Sequence, residues 1–270
     1  MQNPDFIGSG SVKIGLYKMS GHSKWSTIKR QKGIADAKRG RVFSKLARAI
    51  TIAAREGTDP AANFKLRLAV EKARQANMPK ANIERALQRA QGKLGEGELQ
   101  EIIFEGYGPG GVAIMIQTAT DNRQRTASEV KRVLERAGGR LGEKGCVSYL
   151  FQPKGVITVR FKERDPEEIM LTAIDFGAQD VEKAGEMVVV YTRPEELEKI
   201  KEKIAKQGLV VENAEVNLEP KTTIKIADPD KAAKILSLMD KLEELDDTQK
   251  VYASFDIPEQ LLAKIGQEKA

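Results

Sequence analysis

The sequence predicts an α+β protein: a basic N-terminal domain of three helices, followed by largely antiparallel sheets with helices on one face. Three observations lead there. Residues 41–91 hold three apolar patterns at helical spacing, separated by "EGTDP" and "NMP". A glycine- and acid-rich joint, "LGEGELQ" (94–100), ends that texture. Beyond it hairpins and helices alternate without the strict strand–helix–strand rhythm of a doubly wound sheet, in numbers that suffice for two ferredoxin-like units.

Residues 1–18 lack the apolar run of a secretory signal and the arginine-rich character of a presequence, so they read as a disordered extension before a domain opening at Met19. Met19 to Arg41 reads as an extended or loosely helical basic arm. A helix is expected from about Arg41, with Val42, Phe43, Leu46, Ile50 and Ala53 as its apolar stripe and Arg41, Lys45, Arg48 and Arg55 as a separate basic stripe. Gly57 suits its stop, Asp59 the next N-cap and Pro60 the next first position. The second helix should reach about Gln75, with Phe64, Leu66, Leu68, Ala69 and Ala73 inward. The third has Asn77 near its cap, Pro79 at its start, Ile83, Leu87 and Ala90 inside, and Gly92 at its end.

"EIIFEGYGPGGVAIMIQTATD" reads as two strands around a glycine turn. Its "GYGPGG" satisfies a dinucleotide-binding pattern literally, but that site needs a helix after the glycines, and a strand follows. "RTASEVKRVLERAGG" reads as a helix with Thr126 and Glu129 as a capping box and Gly138 as its stop. "CVSYLFQPKGVITVRF" reads as a hairpin turning at Pro153–Gly155. A helix in "DPEEIMLTAIDFGA" precedes a strand pair turning at Ala184–Gly185, and "RPEELEKIKEKIAKQG" is a helix with Pro194 at its start. "VVENAEVNL" or "TTIKIA" supplies a strand. "DPDKAAKILSLMDKLEEL" is a helix with Ile235, Leu238, Met239, Leu242 and Leu245 inward, and "KVYASFDI" closes as a strand.

Charge is the strongest functional signal. The net +6 conceals +13 over residues 20–93, from 18 Lys/Arg against 5 Asp/Glu, and −8 over residues 94–270. A basic module joined to an acidic remainder points to a polyanionic partner. Gly21 to Ile50 alone holds nine Lys/Arg against one acid, Asp36, together with the chain's single His (His22) and single Trp (Trp25). Repeated like charge on one helix face is offset by a phosphate backbone through counterion release. Trp25 is either a stacking platform for unpaired bases or an anchor on the helical domain. Many positions opposite the bases are Ala, which disfavours a membrane-surface helix, and no apolar run reaches the ~18–20 residues of a membrane span.

One Cys (Cys146) excludes an internal disulfide and a multi-Cys zinc site, and one His excludes a two-His site. No metal, cofactor or catalytic role is expected. Arg123, Arg125, Lys131 and Arg132 form a second basic cluster after a turn at Asp121–Asn122. The acidic run Glu243, Glu244, Asp246, Asp247 reads as a solvated helix face with no basic partner.

"MSGHSKWSTIKRQKGIADAKRGRVFSKLARAI", "FEGYGPGGVAIMIQTATDNRQRTASEVK" and "LEELDDTQKVYASFD" resemble blocks of the YebC family of bacterial proteins and its mitochondrial relatives, the translational activators of cytochrome c oxidase. The blocks span residues 19 to about 256. The resemblance implies an N-terminal three-helix domain and two ferredoxin-like α+β domains, one inserted in the other. The expected division is 19–94, then 95–141 with 217–270 as one discontinuous domain, and 142–216 as the inserted one. It implies a non-enzymatic, nucleic-acid-binding regulator of two possible kinds: a ribosome-associated translation factor that relieves stalling at proline-rich stretches, which the spread-out charge favours, or a DNA-binding transcriptional regulator. Matching positions make His22, Ser23, Lys24, Trp25, Lys29, Arg30, Lys32, Lys38, Arg39, Arg41, Lys45 and Arg48 the main nucleic-acid contacts. Tyr107, Gly108, Pro109, Asn122, Arg123 and Arg125 would form a secondary surface. The expected partner is the ribosome or structured RNA, alternatively duplex DNA, met by a cytoplasmic monomer.

Overall fold

The computed structural model describes residues 36–93, 97–161 and 164–268. Three helices come first: α1 (Asp36–Ala53), α2 (Phe64–Gln75) and α3 (Lys80–Ala90). Leu46 and Ile50 of α1 meet Leu66, Val70 and Ala73 of α2 and Ile83 and Ala86 of α3 in one buried cluster. Helix α1 begins five residues before Arg41, so part of the expected arm is helical. The cap of α2 is Asn63, not Asp59. Its Oδ1 accepts from Leu66 N (3.0 Å), while its Nδ2 donates to the carbonyls of Ala53 and Gly57 (2.7 Å each). One buried amide thereby closes α1 and opens α2. Asp59 serves the turn before it, accepting from Ala61 N at 2.9 Å. Pro79 takes the cap of α3 rather than its first position, and Asn77 turns the chain with φ 57°.

The first sheet has the order β3-β1-β2-β9, antiparallel throughout, from β1 (Gln100–Tyr107), β2 (Ala113–Thr120), β3 (Arg140–Leu141) and β9 (Thr248–Ala253). The β1–β2 connection is the expected glycine turn, with Gly110 at φ 74°. Helices α4 (Arg123–Arg136), α7 (Pro229–Glu244) and α8 (Glu259–Glu268) join its core, where Phe104, Ile114 and Ile116 meet Leu134, Met239 and Leu262. A short parallel pair, β8 (Ile224–Lys225) with β10 (Phe255–Asp256), lies nearby in sequence.

The second sheet has the order β5-β6-β4-β7, from β4 (Phe151–Arg160), β5 (Asp180–Ala184), β6 (Met187–Thr192) and β7 (Val210–Pro220). With α5 (Pro166–Asp175) and α6 (Leu197–Lys206) its element order is β-α-β-β-α-β. Ile157, Val159, Val188 and Val190 pack on Ile169, Ala173, Leu197, Ile200 and Ile204 of those helices. The first sheet instead opens with a hairpin, so the ferredoxin-like element order is met by the second sheet only. Strand β7 runs through residue 216, where the sequence reading places a boundary.

Two local expectations are corrected. Pro153–Gly155 is no turn: β4 is continuous, pairing with β7 over its full length and with β6 only from Gly155 onward. Pro153 therefore sits where the strand has a neighbour on one side, which tolerates a missing N–H. Gly155 marks a close approach, since a Cβ there would lie 2.2 Å from Thr192 Oγ1 and 3.1 Å from Leu197 Cβ. Nor do Thr126 and Glu129 cap α4. Asn122 does, accepting from Arg125 N at 3.0 Å, and Thr126 is fully buried.

Two glycine substitutions with opposite outcomes check this packing. Gly155→Ala is expected to cost about 1–3 kcal/mol in urea unfolding, as overpacking does. Gly40→Ala lies within α1 with nothing among the described residues within 4 Å of the added Cβ. It should stabilise by roughly 0.5–1 kcal/mol through helix propensity.

Candidate nucleic-acid interface

Of the expected main contacts, His22, Ser23, Lys24, Trp25, Lys29, Arg30 and Lys32 lie outside the described residues. Lys38 and Arg39 fall in the first turns of α1, their side chains likewise outside, and Arg41 is exposed. The expected basic stripe does not continue into solvent. Lys45 Nζ donates to the carbonyl of Glu243, and the Arg48 guanidinium donates to that of Asp246. Arg48 also pairs with Asp247 at 3.2 Å, and Arg55 with Glu98 at 3.1 Å. These three cations are engaged by the acidic part of the chain. Helical periodicity had aligned them correctly, but the face they share is turned toward the first sheet.

Asp247 is the centre of that contact, and its reading as a solvated carboxylate is overturned. It is 2% exposed. Helix α7 ends at Glu244, Leu245 turns to extended backbone, and the carbonyl of Asp247 accepts from Ala119 N (2.8 Å), which locks the residue to the end of β2. Its Oδ2 accepts from Thr120 Oγ1 (3.0 Å), Thr126 Oγ1 (2.7 Å) and the Arg125 guanidinium (2.8 Å), while Oδ1 faces Arg48. Burial pushes its carboxyl up. The hydrogen bonds from Arg125, Thr126 and Thr120 and the charge of Arg48 outweigh that and hold it below the ordinary aspartate value.

Further ion pairs seat the three helices on both sheets. Lys72 meets Glu215 (2.9 Å), Glu71 meets Lys201 (2.8 Å), Arg67 lies 3.6 Å from Glu198, and Arg89 lies 4.0 Å from Asp121. Phe64 and Leu68, expected inside the helical core, instead pack against the core of the second sheet. Part of the segregation of charge seen in the sequence is thus spent within the molecule.

The six residues of the expected secondary surface are not brought together. In the β1–β2 register Tyr107 faces Ala113 at one end, while Thr120, just before Asn122, faces Gln100 at the other. Eight-residue strands separate these ends by roughly 24 Å. Tyr107 donates to the carbonyl of Cys146 (2.9 Å) under the Arg140 guanidinium, and Gly108 is buried against Ile114 and Leu238, with Pro109 beside it in the turn. Asn122 is a helix cap and Arg125 is held by Asp247 and Asp121, which leaves Arg123 exposed at that end.

Glu105 was not singled out from the sequence, yet it is 5% exposed and accepts the N–H groups of Gly145, Val147 and Ser148 at 2.8 Å each. Burial raises its carboxyl, but these backbone donors outweigh it and the net value is lowered. A carboxylate in the apolar strand "EIIFEGY" was the available signal. Among the described residues no group of three or more His, Cys, Asp or Glu is placed to hold a metal ion.

The sign of the Asp247 shift fixes a pH dependence. A depressed folded-state value stabilises the fold fully above the ordinary carboxylate range. That stabilisation is lost as pH falls through the depressed value. Asp247→Asn should cost roughly 2–3 kcal/mol near neutral pH, because it leaves Arg48 and Arg125 without their charge partner. Urea unfolding from neutral to acid pH should show the wild-type advantage shrinking as the solution becomes more acidic.

Comparison with known proteins bears on most of the chain. Residues 23–93 match the model of the TACO1/YebC protein N-terminal domain, and residues 99–255 match that of the TACO1/YebC second and third domain. A "probable transcriptional regulatory protein" of Aquifex aeolicus is 49% identical over 249 residues, covering 92% of this chain and 100% of its own length. One from Chloroflexus aurantiacus is 51% identical over 250 residues, covering 91% of this chain and 99% of its own. The crystal structure of a conserved hypothetical protein from Aquifex aeolicus superimposes with a TM-score of 0.78 at 49% identity, covering 83% of this chain and 93% of that one. With both parts of the family matched across the helical unit and the two sheets, the chain belongs to the TACO1/YebC family.

Proposed function

We propose that this protein is a non-enzymatic, nucleic-acid-binding regulator that acts on the ribosome as a translation factor and relieves stalling at proline-rich stretches. The observation that carries the reading is where the uncommitted positive charge lies. Lys45, Arg48 and Arg55 are held by the acidic part of the chain, whereas Arg41 is exposed and, among the described residues, has no acidic partner. In this reading the contact with an external polyanion falls to the cation run from Gly21 to Arg41. Its contacts are His22, Ser23, Lys24, Trp25, Lys29, Arg30, Lys32, Lys38, Arg39 and Arg41. A run of cations without a compact reading head suits backbone- and shape-based recognition of structured RNA. In this reading the protein is a cytoplasmic monomer divided as the resemblance implies, with 142–216 inserted between 95–141 and 217–270.

The second reading, a DNA-binding transcriptional regulator, is favoured by one feature. Four residues turning at Asn77 join α2 to α3, a helix–turn–helix connection, and Lys80, Asn82, Arg85 and Gln88 are exposed on α3. The printed names of the bacterial relatives agree with it.

Sedimentation with ribosomal subunits, beside salt titrations of structured RNA and duplex DNA, separates the two. The quadruple variant Lys24/Lys29/Arg30/Lys32→Ala should lose saturable ribosome association. Its slope of log affinity against log salt should flatten by about 3, as the loss of four phosphate contacts requires. Tight duplex binding without ribosome association would instead establish the regulator.

A further inference from the structure

Residues 142–150 cross from β3 to β4, and their backbone is fixed from beneath. The buried Glu105 carboxylate accepts the N–H groups of Gly145, Val147 and Ser148, and the Tyr107 hydroxyl donates to the carbonyl of Cys146. Val147 and Phe151 are buried in an apolar cluster with Met115 and Tyr252 of the first sheet. Tyr149, between these two anchors, is instead 64% exposed. Lys221 lies against it: its N–H donates to the carbonyl of Leu150 (2.7 Å) and its Nζ to that of Tyr149 (2.9 Å). From there Lys221, Thr222, Thr223 and Lys225 form an exposed stretch that ends in β8. Lys144 is exposed on the loop itself. Gly145 and Ser148 are bound by one carboxylate, so their nitrogens lie within roughly 8 Å of each other. Their chain neighbours Lys144 and Tyr149 are thereby brought together. Among the described residues neither Lys144 nor Lys225 makes an ion pair, and the one acid of the loop is Glu143.

We propose that Tyr149 is a stacking platform for an unpaired base, with Lys144, Lys221 and Lys225 meeting the phosphates on either side of that base and Thr222 and Thr223 supplying hydroxyls to the same strand. The ligand is a single-stranded stretch of RNA, taken at a place separate from the basic arm. This rests on the preceding reading that the partner is RNA, and deepens it. An exposed aromatic ring offers a face on which any base can stack, and flanking amines follow the backbone that carries the base. The pinned backbone places the ring in advance, so little freedom is lost on binding. A docking site for protein needs an apolar centre, and the exposed apolar residue that shares this stretch, Ile224, is only 38% exposed.

The probe is a single-stranded oligoadenylate RNA titrated against the full-length protein. Tyr149→Ala should weaken its binding about 5- to 150-fold, the span given by loss of one base–aromatic stack. Tyr149→Phe, which keeps the ring, should bind like wild type. The slope of log affinity against log salt should be the same in Tyr149→Ala as in wild type, because no phosphate contact is lost. In Lys144→Ala/Lys225→Ala that slope should flatten by about 1.4, as two phosphate contacts on a single strand require. Unchanged RNA affinity in Tyr149→Ala overturns the proposal, and so does an equal loss in Tyr149→Ala and Tyr149→Phe. Ribosome association lost in Tyr149→Ala while RNA affinity is kept also overturns it, since the ring would then meet protein. The arm variant Lys24/Lys29/Arg30/Lys32→Ala separates this site from the reading it rests on. If the arm variant loses RNA binding and Tyr149→Ala does not, the function proposed above stands and this site fails. If Tyr149→Ala loses it and the arm variant does not, the site stands and the role of the arm fails. A wild-type protein that binds no RNA overturns both.

Discussion

The arrangement of this protein depends on one buried carboxylate. Asp247 receives an arginine from the N-terminal helices, an arginine and a threonine hydroxyl from α4, and a threonine hydroxyl from the end of β2. Each donor would be costly to leave unmatched away from water, so the four elements are compatible with only one mutual placement. An apolar contact of similar area would tolerate sliding. Hydrogen bonds to two oxygens of one carboxylate do not, and this sets which face of α1 remains for other work.

That division gives the uneven charge of the sequence two separate meanings. Arg48, Arg55, Arg67 and Lys72, which follow Arg41, pair with acids of the remainder and act as docking contacts. The cations before them form a run in which Asp36 is the only acid. Composition adds both groups into one total, which the fold divides.

Much of the architecture could be read from local pattern. The three helices, the hairpin around "GYGPGG" and the α7 stripe of Ile235, Leu238, Met239 and Leu242 are set by spacings within a few residues, and the structure has them where the spacing places them. What could not be read was long-range. Asp247 looked solvated because its partners are Arg48, Thr120, Thr126 and Arg125, which are more than 120 residues away in sequence. Thr126 looked like half of a capping box for the same reason. Pro153 and Gly155 looked like a turn because a missing neighbour and a close approach call for the same residue types as a turn does. Periodicity showed that Arg41, Lys45 and Arg48 share a face, but a face has no direction until the neighbour it meets is known.

The place of β9 has a consequence for how the chain is made. Strand β2 is an inner strand of the finished sheet, yet the partner on its outer side, Thr248–Ala253, is among the last segments to be synthesised. While the whole of the second sheet emerges and pairs, the β1–β2 hairpin and α4 have an open edge, the kind of row of unpaired backbone groups that recruits wrong partners. The same delay applies to the N-terminal helices, whose anchor Asp247 immediately precedes β9. The contact of α1 with the first sheet is therefore completed late, when one short stretch both closes that sheet and brings Asp247 to Arg48.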